Sequence, residues 1–138
     1  MGYKAPQIYT LAFGFTSSSP ADATTYYFGH LSSALNVNPV IFAILVPRAG
    51  IVKAAQLRLF SGTIGTAEDW PIVIRKNNTT DYTFATVVSA SATRDFINLS
   101  LNIPVAQGDY LELKTVTPTW VTNPDTCRGE GHFLIESE

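Results

Sequence analysis

The stretch from Ile74 to Phe84, IRKNNTTDYTF, gathers two cations, two amides and two hydroxyls between apolar, β-favouring residues. Side chains of these types can hold an anion or a sugar. The triplets Asn77-Asn78-Thr79 and Asn78-Thr79-Thr80 also fit the glycan acceptor pattern, as does Asn98-Leu99-Ser100. A plainer reading competes. Asn tolerates a positive φ and closes Asx-turns, so Asn77-Asn78 between two strand-like runs suits the tip of a hairpin. The hairpin is the expectation. The glycan triplets are then chance matches in a chain rich in Thr, Ser and Asn.

The remaining reactive residues are scattered. His30 and His132 lie far apart and lack metal-type spacing. Cys127 is the only cysteine, so no intrachain disulfide forms, and no base is spaced to activate it. Glu68-Asp69 is a carboxylate pair in a loop before Trp70, which any surface loop can carry. Trp70, Trp120 and Tyr110 have the ring area for sugar stacking, yet aromatics of a β-protein more often fill a core or an interface. There is no Gly-rich phosphate loop, no nucleophile elbow and no calcium-loop pattern. The expectation is a protein without catalytic residues, metal or cofactor.

The elements that position these residues read almost entirely as strands. In KAAQLRLFSG, Ala55, Leu57 and Leu59 alternate with Gln56, Arg58 and Phe60. In GDYLELKTV, Leu111 and Leu113 alternate with Tyr110, Glu112 and Lys114. FINLSLNIPV places Ile97, Leu99, Leu101 and Ile103 on one face, which predicts a strand with that face packed. VIFAILVP is apolar on both faces and predicts a central buried strand. PIVIRK, DYTFATVV, GHFLIES and TTYYFGHL complete the set. Turn chemistry separates them: VPRAGI, SGTIGTAEDWP, VAQGDY and the doubly proline-broken TPTWVTNPD. About eight short strands spaced by roughly ten residues predict an all-β, antiparallel β-sandwich of jelly-roll type.

The first 23 residues lack that clean period and predict an extended N-terminal arm over 1–23, ahead of a jelly-roll domain over 24–138. Tyr3, Ile8, Tyr9, Leu11, Phe13 and Phe15 make the arm too apolar for a disordered tail. They predict docking on a neighbour, as an attachment device. The start MGYKAPQIYT carries neither a secretory nor a myristoylation pattern, and the longest apolar run is too short to span a bilayer. Length and charge narrow the class further. With 138 residues the chain is long enough for one real core. It is 46% hydrophobic but only 14% charged, with a net charge of −2. That balance gives no basic face for nucleic acid and leaves apolar surface for a subunit interface.

From about Tyr26 to Ile135 the chain resembles the trimeric jelly rolls of the tumour-necrosis-factor and complement-head type. The segments that carry the likeness are YYFG, VPRAGIVKAAQLRLFSG, VAQGDYLELK and GEGHFLIES. The run from IRKNNTTD through SLNIPVAQGDYLELKTVTPTWVTNP also resembles small structural proteins of tailed phages. These likenesses imply a homotrimer in a virion, with an interface drawn from residues such as Tyr27, Phe42, Tyr110 and Phe133. They imply a capsid decoration or cement subunit that contacts the major capsid protein or another virion protein, made in the host cytoplasm and carried on the capsid surface. The alternative is a receptor- or glycan-binding head of a tail fibre. No repeat or heptad shaft precedes the sandwich, which favours decoration. No catalytic residue and no calcium set follows from the resemblance, and neither membrane nor nucleic acid is an expected partner.

Overall fold

The computed structural model describes residues 5–31 and 34–137. These residues hold ten strands and no helix: β1 (Gln7–Ser18), β2 (Thr25–Phe28), β3 (Ile44–Leu45), β4 (Gly50–Phe60), β5 (Asp69–Lys76), β6 (Thr80–Val88), β7 (Thr93–Asn98), β8 (Ile103–Val105), β9 (Tyr110–Val116) and β10 (Cys127–Ser137). One five-stranded sheet runs β1-β10-β4-β7, with β8 also paired to β4. The other runs β2-β9-β5-β6, with β3 paired to β9. Every pairing is antiparallel. The chain passes repeatedly from one sheet to the other, which is the jelly-roll wrapping of a two-sheet sandwich.

Alternation does the positioning. Ala55, Leu57 and Leu59 of β4 are buried while Gln56 and Arg58 face out. Leu111, Leu113 and Thr115 of β9 are buried, as are Phe133 and Ile135 of β10. The two inner faces meet in an aromatic centre. Phe13 lies 4.7 Å from Phe133 between ring centroids, and Phe15 lies 4.9 Å from Phe28. Trp70 meets Trp120 edge-to-face at 6.0 Å and 88°. Such pairs add about 0.5–1.5 kcal/mol each beyond the area they bury.

Three expectations need correction. The segment set apart as an arm is β1, a strand of the first sheet, paired with β10 from Gln7↔Ser137 to Ser18↔Cys127. Phe13 and Phe15 are core residues, Tyr9 and Leu11 are half-buried against that core, and only Ile8 of this set is exposed. Tyr3 lies outside the described residues. Second, VIFAILVP is not one central strand. Val40 takes a φ of +76° in a turn, and only Ile44 and Leu45 pair with β9. Third, FINLSLNIPV is two strands with a break over 99–102, and its apolar set does not share a packed face. Ile103 is buried and Leu101 half-buried, but Ile97 and Leu99 are 63% and 76% exposed.

Candidate assembly interface

The polar cluster of IRKNNTTDYTF is the tip of the β5–β6 hairpin, with Lys76 paired to Thr80. Asn77 and Asn78 both have φ of +53°, and the Thr79 N–H donates to the Lys76 carbonyl at 3.1 Å. The positive φ at both central residues is the type I′ sign pattern, which Asn accepts at low cost. The side chains turn inward on one another. Arg75 donates to Asn78 Oδ1, to the Asn78 carbonyl and to Asp81. Lys76 reaches the Pro104 carbonyl at 2.9 Å. Asn77 donates to Asp109 and accepts from the Tyr110 N–H, both at 3.0 Å. The groups that could have held a ligand hold the hairpin against the turn before β9. In that turn Gly108 has a φ of +89°, a conformation that suits glycine.

The other reactive residues are equally committed to structure. Cys127 is buried with its Sγ 3.4 Å from Ser61 Oγ, and burial pushes its thiol up. Glu68 accepts the Val121 N–H at 2.9 Å. Trp70 and Trp120 are buried, so their faces are not a sugar platform. His30 follows β2 on the surface, and His132 sits on β10. Among the described residues no group of three or more His, Cys, Asp or Glu is placed to hold a metal. Among them, too, no helix is long and apolar enough to cross a membrane.

The four residues assigned from the resemblance to an intersubunit interface do not lie together on one surface. Phe133 points into the subunit's own core and is fully buried there. Tyr27, Phe42 and Tyr110 are half-buried and belong to the second sheet and the segment leading into it. The core took Phe133 because it alternates in register with Ile135 and packs beside Phe13 of the neighbouring strand on the inner face.

A different surface has the properties of an interface, the outer face of the first sheet. Strand register lays its side chains in rows. Glu130, Arg58 and Asp95 align across β10, β4 and β7. Arg58 holds Asp95 through two bonds, at 2.7 and 3.0 Å. The next row is Ala12, His132, Gln56 and Ile97, with His132 Nε2 3.1 Å from Gln56 Nε2. Beyond it come Leu134 and Ala54. In the opposite direction Arg128 aligns with Phe60 and places its guanidinium carbon 4.7 Å from the ring centre. A depression of about 460 Å³ runs over the central rows and adjoins one of about 650 Å³ toward Thr16, Ser17 and Arg128. Leu31 overhangs both. Gly14 lets this happen: a Cβ there would stand 2.4 Å from the Gly129 carbonyl and 2.9 Å from Leu31.

The same face carries the exposed aliphatics Ile97 and Leu99, with Leu134 and Ala54 lining a small hollow beside them. Ile8, 62% exposed, stands apart from them on β1, in the row of Glu136 and Ile51. Sequence reasoning assigned Ile97 and Leu99 to the core because their spacing is that of a packed face. The missed signal is Asn98, whose side chain donates to the Phe84 carbonyl and so marks its own side of β7 as the inner one. The outer face of the second sheet carries a polar network beside exposed Leu45 and Val116. There Asp81 bridges Arg75 and Lys114 at 2.7 and 3.1 Å.

No family model matches the chain, and no curated protein matches it. Solved structures do. A crystal structure of FLHE aligns at 8% identity over 96% of this chain and 98% of its own, with a TM-score of 0.46. Eiger TNF from S. frugiperda aligns at 12% identity over 97% of this chain and 94% of its own, with a TM-score of 0.43. The protein of Desmodium yellow mottle tymovirus aligns at 13% identity over 99% of this chain and 84% of its own, with a TM-score of 0.40.

Proposed function

We propose that this chain is a structural subunit that works by association, a capsid decoration protein that assembles as a homotrimer and covers the surface of a virion. The observation that carries this reading is the uncovered apolar strip of Ile97 and Leu99, with Leu134 and Ala54 beside them, on the outer face of the first sheet. Contiguous apolar surface on a soluble domain marks an interaction site. The strip is flanked by the Glu130–Arg58–Asp95 row, whose alternating signs suit a register-setting contact with another copy. Low overall charge and the sequence likeness to small phage structural proteins support the virion setting. No enzymatic role is proposed, since the histidines, the thiol and the carboxylates are dispersed or hydrogen-bonded within the fold.

With β1 inside the sandwich, attachment to the capsid falls to surface loops. The loops at 61–68 and 117–126 present Ile64 and Val121 side by side at one end, joined by the Thr63↔Asp125 bridge. Imaging of an assembled particle tests the reading: density of this subunit in three-fold groups on the capsid surface is expected. Its presence only at a fibre tip would overturn decoration in favour of a receptor-binding head.

A further inference from the structure

Among the described residues Glu112 is the one acidic residue that is buried, at 1% exposure, and the proposed assembly makes no use of it. It sits on the outer side of β9, beneath the segment 34–43 that leads from β2 to β3. One oxygen accepts the Val40 N–H at 2.9 Å. The other meets no hydrogen-bonding group among the described residues. Its register neighbour on β5 is Arg75, but that guanidinium is committed to Asn78 and Asp81. A buried carboxylate normally collects two or three donors or a counter-ion. This one has a single N–H.

The covering segment is fastened mainly at its ends. Tyr27 and Asn36 exchange backbone bonds at 2.7 and 3.0 Å, and the His30 N–H donates to the Phe42 carbonyl at 3.0 Å. Between them, Val40 holds a φ of +76°, a costly conformation for a β-branched residue. Its N–H bond to Glu112 is the contact that fixes the middle.

We propose that residues 34–43 form a strap held shut over the neutral form of Glu112 and loosened when that carboxyl ionises. A neutral carboxyl still accepts the Val40 N–H through its carbonyl oxygen and buries no charge. An ionised one gains by swinging the strap aside and reaching water, which also releases the strained Val40. The charged groups around it are Arg75 on β5, Asp81 on β6 and Lys114 on β9, with Tyr27 on β2; the strap itself carries none. Arg75 favours ionisation and Asp81 opposes it, while Lys114 is held by Asp81. Burial is the largest influence and pushes the Glu112 carboxyl up, with the Val40 bond acting against it.

The sign follows. A carboxyl raised in the closed state binds its proton more tightly there than in the open state. Closure is therefore fully favoured below the ordinary glutamate range, near pH 4.3, and is lost as pH rises through the raised value. The device is an acid-closed strap that fixes the exposed Val37 and Ile41 in one arrangement only when shut.

Amide hydrogen exchange on the full chain, corrected for the intrinsic pH dependence of exchange, reads the strap directly. The protection of Val40 is expected to be greater at pH 4 than at pH 8 and to fall between them as the Glu112 carboxyl ionises. Glu112→Gln keeps the acceptor and removes the charge, so its Val40 protection is expected to stay high and flat with pH. Flat protection in the wild-type chain, or an unchanged slope in Glu112→Gln, overturns the proposal. If that variant does not fold, the carboxyl carbon shift of Glu112 in the wild-type chain decides. Its titration must coincide with the loss of Val40 protection, and a midpoint at or below the ordinary glutamate value contradicts the account.

Discussion

Asn77 carries more of the hairpin tip than its neighbours do. Its backbone sits at φ +53°, and its amide group both donates to Asp109 and accepts from Tyr110. Asn77→Ala loses both bonds and places a Cβ-bearing residue without a compensating side chain in the left-handed region. A loss of about 2 kcal/mol is expected in urea unfolding, and Asn77→Gly is expected to lose less because only the bonds go. Asp81 sets the acid limit at the same site. Burial acts to raise its carboxyl, but bonds from Arg75 and Lys114 outweigh this and hold it below the usual aspartate range. A depressed carboxyl stabilises the fold above its unfolded value, near pH 3.9, and that stability is lost as pH falls through the lower folded value. Asp81→Asn should therefore flatten the stability–pH curve below about pH 4, read by thermal unfolding across pH. Leu99 and Phe13 give the sharpest contrast. Phe13→Ala is expected to cost about 3–5 kcal/mol, as for a fully packed aromatic. Leu99→Ala is expected to stay within about 0.5 kcal/mol in the isolated subunit, because the side chain is largely in water there.

At the scale of elements, β1 is the decisive strand. It contributes Phe13 and Phe15 to the core and pairs with β10 along nearly its whole length. A chain beginning at Thr24 would leave β10 as an open edge and the aromatic centre half-built. It is expected to aggregate or remain unfolded by circular dichroism, whereas the same chain would fold normally if β1 were only a docking arm. The strands that were legible in the sequence are those with one wet and one dry face, such as β4 and β10. There alternation alone assigns the inward set. β1 also alternates, with Tyr9, Leu11, Phe13 and Phe15 two apart. Its outward residues, Thr10, Ala12 and Gly14, are too small and weakly polar to mark a wet face, so the period was masked. The segment at 40–47 failed for the opposite reason. It is apolar without interruption, and nothing in such a run reveals that Val40 turns the chain and that only two residues pair. The hairpin tip was legible because Asn-Asn states its own backbone preference. The outer face of the first sheet was not, because exposed aliphatic side chains such as Ile97 and Leu99 have the same spacing as those of a core.

For the whole molecule, the two outer faces divide the work. The second sheet turns a polar network to solvent and is covered on one side by the 34–43 segment. The first sheet leaves Ile97 and Leu99 bare beside a charged row and a long depression. Burying an exposed Leu or Ile fully contributes about 1.5–3 kcal/mol, so the proposed three-copy contact draws on this strip, and a charge placed in it is expected to weaken that contact strongly. The most direct measurement is sedimentation equilibrium of the purified chain at micromolar concentration, alongside Leu99→Glu. The account predicts the mass of three chains for the wild type and of one folded chain for Leu99→Glu. A wild-type monomer at that concentration, or a variant that still assembles in threes, would contradict it.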